Sequence, residues 1–167
     1  RGVLWPVQTL SHGAPTDLGD IPLIVDGSTP PALDAVLKLA RSISGSVLQL
    51  SLEQRKRMHL AAAITSNLPV FLVREAQRIL RKENLPPDLL MPLWRNTAAN
   101  VASIGPEHAL TGPARRGDVR SIRGHLALLE GEPDLRRAYA LISTMIMKAY
   151  GHPADGRENV QGDTREH

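Results

Sequence analysis

Residues 52–82, LEQRKRMHLAAAITSNLPVFLVREAQRILRK, are the longest stretch of this chain that reads as one helix, and its middle is small-sided. Ser51 suits the N-cap, with Gln54 three residues on to close a capping box. Glu53 falls in the first turn, where the helix dipole favours a carboxylate. At about 100° per residue, His59, Ala62, Ala63 and Ser66 share one face, with Asn67 at its edge. That face is a shallow trough with polar ends. Pro69 has no N–H to give to the Thr65 carbonyl, so a kink is predicted there. Beyond it Leu72, Ala76, Ile79 and Leu80 resume an apolar stripe. Two uses of the trough compete. It can seat a second helix, with His59 and Asn67 as satisfied buried groups, or it can be the floor of a ligand site with His59, Ser66 and Asn67 as donors and acceptors.

The segments before this helix alternate between strand and helix signals. Residues 2–8, GVLWPVQ, read as a short apolar strand ending at Pro6, and residues 11–20 as loop. Residues 21–25, IPLIV, read as a buried strand closed by Asp26-Gly27. Ser28 or Thr29 can cap a helix with Pro30 or Pro31 in its first turn and Leu33, Val36, Leu37, Ala40 and Ile43 on one face. Gly45 stops it, and residues 47–50 form a third strand. This is an α/β pattern too short to close a doubly wound sheet.

After Ser51 the pattern is helical. Pro86-Pro87 precede a helix over about residues 88–103, with Leu89, Leu90, Leu93, Trp94, Thr97 and Val101 on its apolar side. Gly105-Pro106 break it, and residues 108–117 read as a polar loop. Asp118 can cap a helix running to about Leu129, and a last helix spans roughly residues 134–149. Residues 151–167 have almost no apolar content and are expected to form a disordered tail.

Composition removes several functional classes. Hydrophobic residues make up 42% of the 167, but aromatics only 3%, so aliphatic side chains must build the core. With no cysteine there can be no disulfide, thiol catalysis or cysteine-based zinc site. No apolar run is long enough to span a membrane, and no secretory leader is read at the start, so a cytoplasmic protein is expected. The chain begins at Arg1, and we read it as the processed or cut part of something longer. The net charge of +3 comes with arginines spread through helices and few rings for base stacking, so nucleic acid is not expected as a partner. Neither a phosphate loop nor GxGxxG occurs. His59, His108, His125 and His152 are separated by loops, and no metal site is expected.

A second informative stretch is LTGPARRGD, residues 110–118. Gly112-Pro113 forces a turn, and Arg115 and Arg116 place guanidinium forks beside it. An arginine-bearing loop against a helix N-terminus suits a carboxylate or phosphate. The alternative is a solvated loop whose arginines pair with Asp118 and Glu107.

Taken together, EQRKRMHLAAAITSN and, about 40 residues later, ALTGPARRGDVRSIRGHL resemble a bacterial family with a Rossmann-like NADP-binding domain followed by a helical domain of unknown function. That helical domain is similar to the C-terminal domains of 6-phosphogluconate dehydrogenase, ketopantoate reductase and pyrroline-5-carboxylate reductase. The segment LWPVQTLS resembles the late Rossmann segment that usually reads as histidine-proline followed by glutamine, so the likeness runs from residue 2 to about 150. Three departures stand out. Trp5 replaces the histidine, and the nucleotide-binding first half of the Rossmann domain is absent from this chain. The dehydrogenases place a lysine four residues before an asparagine on the long helix, where this chain has Ala63 before Asn67. Lys56 is eleven residues from Asn67, about 16 Å along the axis, too far to share one proton transfer with it.

The resemblance implies a mainly α fold: a helical domain of the 6-phosphogluconate dehydrogenase C-terminal type, preceded by the last strands of a Rossmann-like α/β domain. Residues 1–51 would end the Rossmann-like domain, residues 52–150 would form the helical substrate and dimerisation domain, and residues 151–167 the tail. It implies the C-terminal portion of an NADP-dependent oxidoreductase, working as a homodimer on a small anionic substrate. His59 would be the general acid/base and Asn67 would orient a substrate carbonyl. Ser66, Thr111 and Arg116 would bind the substrate, with Arg116 holding its anionic group. The alternative function is a non-catalytic dimerisation or interaction module with the trough buried against a second subunit.

Overall fold

The structure, a computed structural model, describes residues 1–9 and 17–153. The described chain is mostly helical and divides into two compact units, Arg1–Leu90 and a second from Met91 onward. The expected tail lies, from Ala154 on, outside the described residues.

In the first unit three strands form one sheet: β1 (Gly2–Pro6), β2 (Leu23–Gly27) and β3 (Val47–Gln49), in the order β1-β2-β3. β1 runs antiparallel to β2, with Trp5 opposite Ile24 and Val3 opposite Asp26. β3 is parallel to β2, as a connection through a helix requires. That helix, α1 (Pro30–Ile43), is capped by the Thr29 hydroxyl and carries prolines in its first turn. Alternation along β2 splits its side chains between two faces. Leu23 and Val25, fully buried, join Ala40 of α1, with Leu4, Leu33, Val36, Leu37, Ile43 and Val47 around them. Ile24 and Asp26 point to the other face, which β1 extends with Trp5 and Val3.

Ser44, not Gly45, caps the end of α1, and its buried hydroxyl donates to the Ile21 carbonyl at 2.7 Å and accepts from the Ser46 N–H at 3.0 Å. Gly27 is required by a close approach, since a Cβ there would lie 2.5 Å from the backbone nitrogen of Leu33.

The long helix comprises α2 (Leu52–Ala62), a π-helical turn (Ala63–Asn67) and α3 (Leu68–Lys82), without interruption. Its start is the expected capping box: Gln54 N–H donates to Ser51 Oγ at 3.3 Å and Ser51 N–H to Gln54 Oε1 at 2.9 Å. The irregularity predicted at Pro69 is taken up in the turn before it. Leu68 N–H reaches back five residues to the Ala63 carbonyl, and the backbone widens where proline removes an α-helical bond. The helix ends in a Schellman motif, with Asn84 left-handed (φ 57°), Leu85 N–H on the Leu80 carbonyl and Asn84 N–H on the Arg81 carbonyl. A 3₁₀ turn, Pro87–Leu90, follows.

The second unit holds α4 (Met91–Ile104), α5 (Pro106–Ala109), α6 (Pro113–Arg116), α7 (Val119–Leu128) and α8 (Pro133–Ala149). The polar loop expected over residues 108–117 is thus largely helical, a correction with a local cause. Gly105 (φ 79°) and Gly112 (φ 97°) are N-caps, and the proline after each opens a short helix rather than a turn. Its core is Ala114, Ile122 and Met147, with Val119, Leu126, Tyr139 and Ile146 packed against them. The predicted apolar stripe of α4 has no buried member, and Leu93 is 62% exposed. No helix among the described residues is long and apolar enough to cross a membrane.

Candidate functional site

Two features of the first unit create a cavity. The sheet register puts Trp5 on the face that meets the start of α2, where Arg55 Nη2 donates to Asp26 Oδ2 at 2.7 Å. This bond and the Trp5–His59 ring contact, centroids 5.9 Å apart at 50°, set α2 against β1. The alanines of the trough then leave space beside the strand. A cavity of about 400 Å³ results, lined by Trp5, Val7, Gln8 and Thr9 from the strand side and by His59, Ala62, Ala63, Thr65, Ser66 and Asn67 from the helix.

The π turn shapes its far end. In an unbroken α-helix Asn67 would stand about 80° round from His59, eight steps of about 100°. A π turn winds fewer degrees per residue and draws Asn67 back toward the His59 face. Ser66 Oγ donates to Asn67 Oδ1 at 2.9 Å, which orients the amide to offer its Nδ2 hydrogens elsewhere. Thr65 Oγ1 spends its proton on the Ala61 carbonyl at 2.9 Å. His59 is exposed on the cavity wall, and among the described lining residues its imidazole is the titratable group.

Of the residues singled out in the sequence, His59, Ser66 and Asn67 are therefore brought together. Thr111 and Arg116 belong to the second unit, Thr111 just before the Gly112 cap of α6 and Arg116 at its last position. Both are exposed there. Arg115 has a structural role: its guanidinium lies 3.9 Å from the centre of the Tyr150 ring. Asp118 caps α7 as expected, accepting from Ser121 N–H at 3.0 Å and Ser121 Oγ at 2.6 Å. The Ser121 hydroxyl and then its N–H hold the Asp118 carboxyl below the usual carboxylate range, with help from the charges of Arg116 and Arg120 and against a small cost of burial.

Sequence reasoning missed Trp5, Gln8, Thr9 and Thr65 as lining residues. The available signal was Trp5 itself, one of two tryptophans, set directly before a proline and three residues from a glutamine. Among the described residues no cluster of three or more histidine, aspartate or glutamate side chains could hold a metal.

Residues 21–146 match the family described as a domain of unknown function, DUF2520. The chain belongs to the DUF2520 family. Two solved structures resemble this DUF2520 chain closely. One, titled a putative NADP oxidoreductase, from Bacteroides fragilis, is 36% identical with a TM-score of 0.82, over 88% of this chain and 57% of that one. The other, a protein from Thermotoga maritima, is 29% identical with a TM-score of 0.76, over 90% of this chain and 62% of that one. The DUF2520 chain thus spans about three fifths of the length of these relatives. No curated protein matches it.

Proposed function

We propose that this chain is the C-terminal portion of an NADP-dependent oxidoreductase and that its long helix forms the floor of the substrate cleft. The observation that carries the reading is the cavity of about 400 Å³ in which Trp5 and Gln8 of the strand side face His59, Ser66 and Asn67. The likeness to the Bacteroides fragilis structure supports it. Residues 1–51 would finish a Rossmann-like sheet, and residues 52–150 would be the helical substrate and dimerisation domain of the 6-phosphogluconate dehydrogenase C-terminal type.

NADP itself does not fit this chain alone. No glycine-rich turn exists here to hold a pyrophosphate on a helix N-terminus. What the chain supplies is substrate handling. His59 exchanges a proton with the substrate oxygen, since an imidazole nitrogen can both give and take one. Asn67 donates from Nδ2 to a carbonyl, and Ser66 fixes that amide.

The test is His59→Ala in the full-length protein. Because His59 is exposed and loses only its ring contact with Trp5, the change should lower unfolding stability by no more than about 1.5 kcal/mol. Turnover of reduced NADP with a carbonyl substrate should fall by about 10²–10⁴. A marked loss of stability with turnover preserved would return His59 to a structural role.

The interaction-module reading has its own support. Leu60 and Ile64 are 61% and 54% exposed and adjoin on one flank of the long helix, Leu60 about 100° round from His59. Such a stripe suits a second copy of the chain, and lying beside the trough it is compatible with an open cleft. Sedimentation should give a dimer at micromolar concentration, burying well over about 1,000 Å², and Ile64→Glu should dissociate it. A monomeric wild type would remove this part of the proposal.

A further inference from the structure

Trp5 and His59 wall a second cavity, of about 370 Å³, completed by Val3, Leu52, Arg55 and Lys56. Its composition differs from that of the first. Val3, Leu52 and the Trp5 ring make an apolar wall, and Arg55, Lys56 and His59 make a polar one that carries two cations. Two details mark it as a place for an acceptor. Arg55 Nε is buried without a hydrogen-bond partner, although Nη2 of the same group is held by Asp26. An orphaned guanidinium N–H is costly, and although Nε is itself closed off, a shift of the Arg55 side chain toward an acceptor in the cavity it lines would relieve it. The Lys56 ammonium is paired with Glu53 at 2.8 Å, but those side chains are 63% and 70% exposed. Such a pair is worth little and exchanges readily.

We propose that this cavity binds the anionic end, a carboxylate or phosphate monoester, of a ligand whose apolar or aromatic body lies against Trp5. The inference rests on the substrate-cleft reading only in calling that ligand the substrate. Lys56 is one helical turn before His59, three residues or about 4.5 Å along the axis. An anion held at Lys56 therefore places the adjoining carbons beside His59 and in line with Asn67. Lys56 thereby holds the anion within the first unit, independently of Arg116. Specificity follows from the mixed wall: the rings and aliphatic groups select the body, and the cations select the charge.

The probes are 4-phenylbutyrate, 2-phenylethyl phosphate and the uncharged 4-phenylbutanamide. Binding to the full chain is followed by Trp5 fluorescence in a Trp94→Phe background and by equilibrium dialysis with the wild type, without cofactor or turnover. The two anions should bind at least about tenfold more tightly than the amide, consistent with a charge-assisted bond. Lys56→Gln should remove that preference and leave amide binding unchanged, whereas Lys148→Gln, an exposed charge in the second unit, should change nothing. The ratio of the two anions separates a carboxylate from a phosphate ligand. Equal affinity for anion and amide, an unchanged preference in Lys56→Gln, or binding by dialysis without a Trp5 response would each overturn the proposal. Because no turnover is read, failure here leaves the His59 test standing, and failure of the His59 test leaves this binding result standing.

Discussion

Replacing Pro69 by alanine asks whether the π turn is imposed by one missing donor. In the present structure residue 69 cannot donate, and the turn from Ala63 to Asn67 is π-helical with Leu68 N–H bonded to the Ala63 carbonyl. Alanine restores an N–H within reach of the Thr65 carbonyl, a net gain of about 0.5–1.5 kcal/mol for one hydrogen bond. It also removes the clash of the proline ring with the preceding turn, and the interior penalty of proline against alanine is about 3 kcal/mol in total. Pro69 lies at the start of α3, where part of that penalty is already relieved by the π turn. The expected stabilisation is therefore about 1–2 kcal/mol. The cost falls on the cavity. Reversion to a plain α-helix turns Asn67 some 80° away from the His59 direction, so substrate turnover in the full-length protein should drop while stability rises. Urea unfolding monitored by circular dichroism gives the first quantity and steady-state kinetics the second. A variant no more stable than wild type, with unaltered kinetics, would refute the assignment of the π turn to Pro69.

Three further outcomes follow from the fold. Ser44→Ala should cost about 1–3 kcal/mol in urea unfolding, because the buried Ser46 N–H loses its acceptor and the Ile21 carbonyl its donor; a change below about 0.5 kcal/mol would mean that water replaces the hydroxyl. Gly27→Ala should destabilise by about 1–3 kcal/mol or more, since the new Cβ meets Leu33 backbone atoms at 2.5 and 2.6 Å; thermal unfolding reads this directly. Asp118 is held below its unfolded pKa, so its contribution is present above that value and disappears as pH falls through the folded value. Unfolding midpoints should accordingly decline below about pH 4, and Asp118→Asn, which can still cap α7, should flatten that decline; an unchanged acid profile would argue against the Ser121 bonds as its source.

Local chemistry made much of this fold legible. The capping box at Ser51, the Thr29 cap with its prolines, and the Asp118 cap are each decided within about one turn; the first and last are read at their observed positions, and the cap of α1 is narrowed to Ser28 or Thr29. The small face of α2 was legible for the same reason, because helical periodicity alone places His59 beside Ser66. The π turn was not, since a five-residue bond leaves no periodic trace and only Pro69 hints at it. Residues 108–117 misled because Gly-Pro serves both a turn and a capped helix start, and the choice was made by Ala114 packing into the core with Ile122 and Met147. Trp5 and Gln8 reach the cavity through sheet register and the docking of α2, contacts across some fifty positions of sequence. The Arg115–Tyr150 stack is equally non-local, and it removes from the supposed anion loop one of its two forks.

At the end of α8 the chain turns through Gly151 (φ 77°), and His152 lies over Gly117, with its Nε2 3.1 Å from the Arg115 carbonyl. A Cβ on residue 117 would sit 2.6 Å from the His152 ring, and the φ of 70° there already restricts the choice of side chain. Positions 117 and 152 are thus bound into one inheritance. While the His152 ring keeps this place, a side chain at 117 must displace it and accept a strained backbone. A lineage that trades the histidine for a small residue frees 117 to drift, first to asparagine, the side chain most at ease in that backbone region. The contact therefore predicts a direction, with 152 changing before 117, and relatives should carry these two positions, some thirty-five apart in the chain, as a correlated pair of replacements.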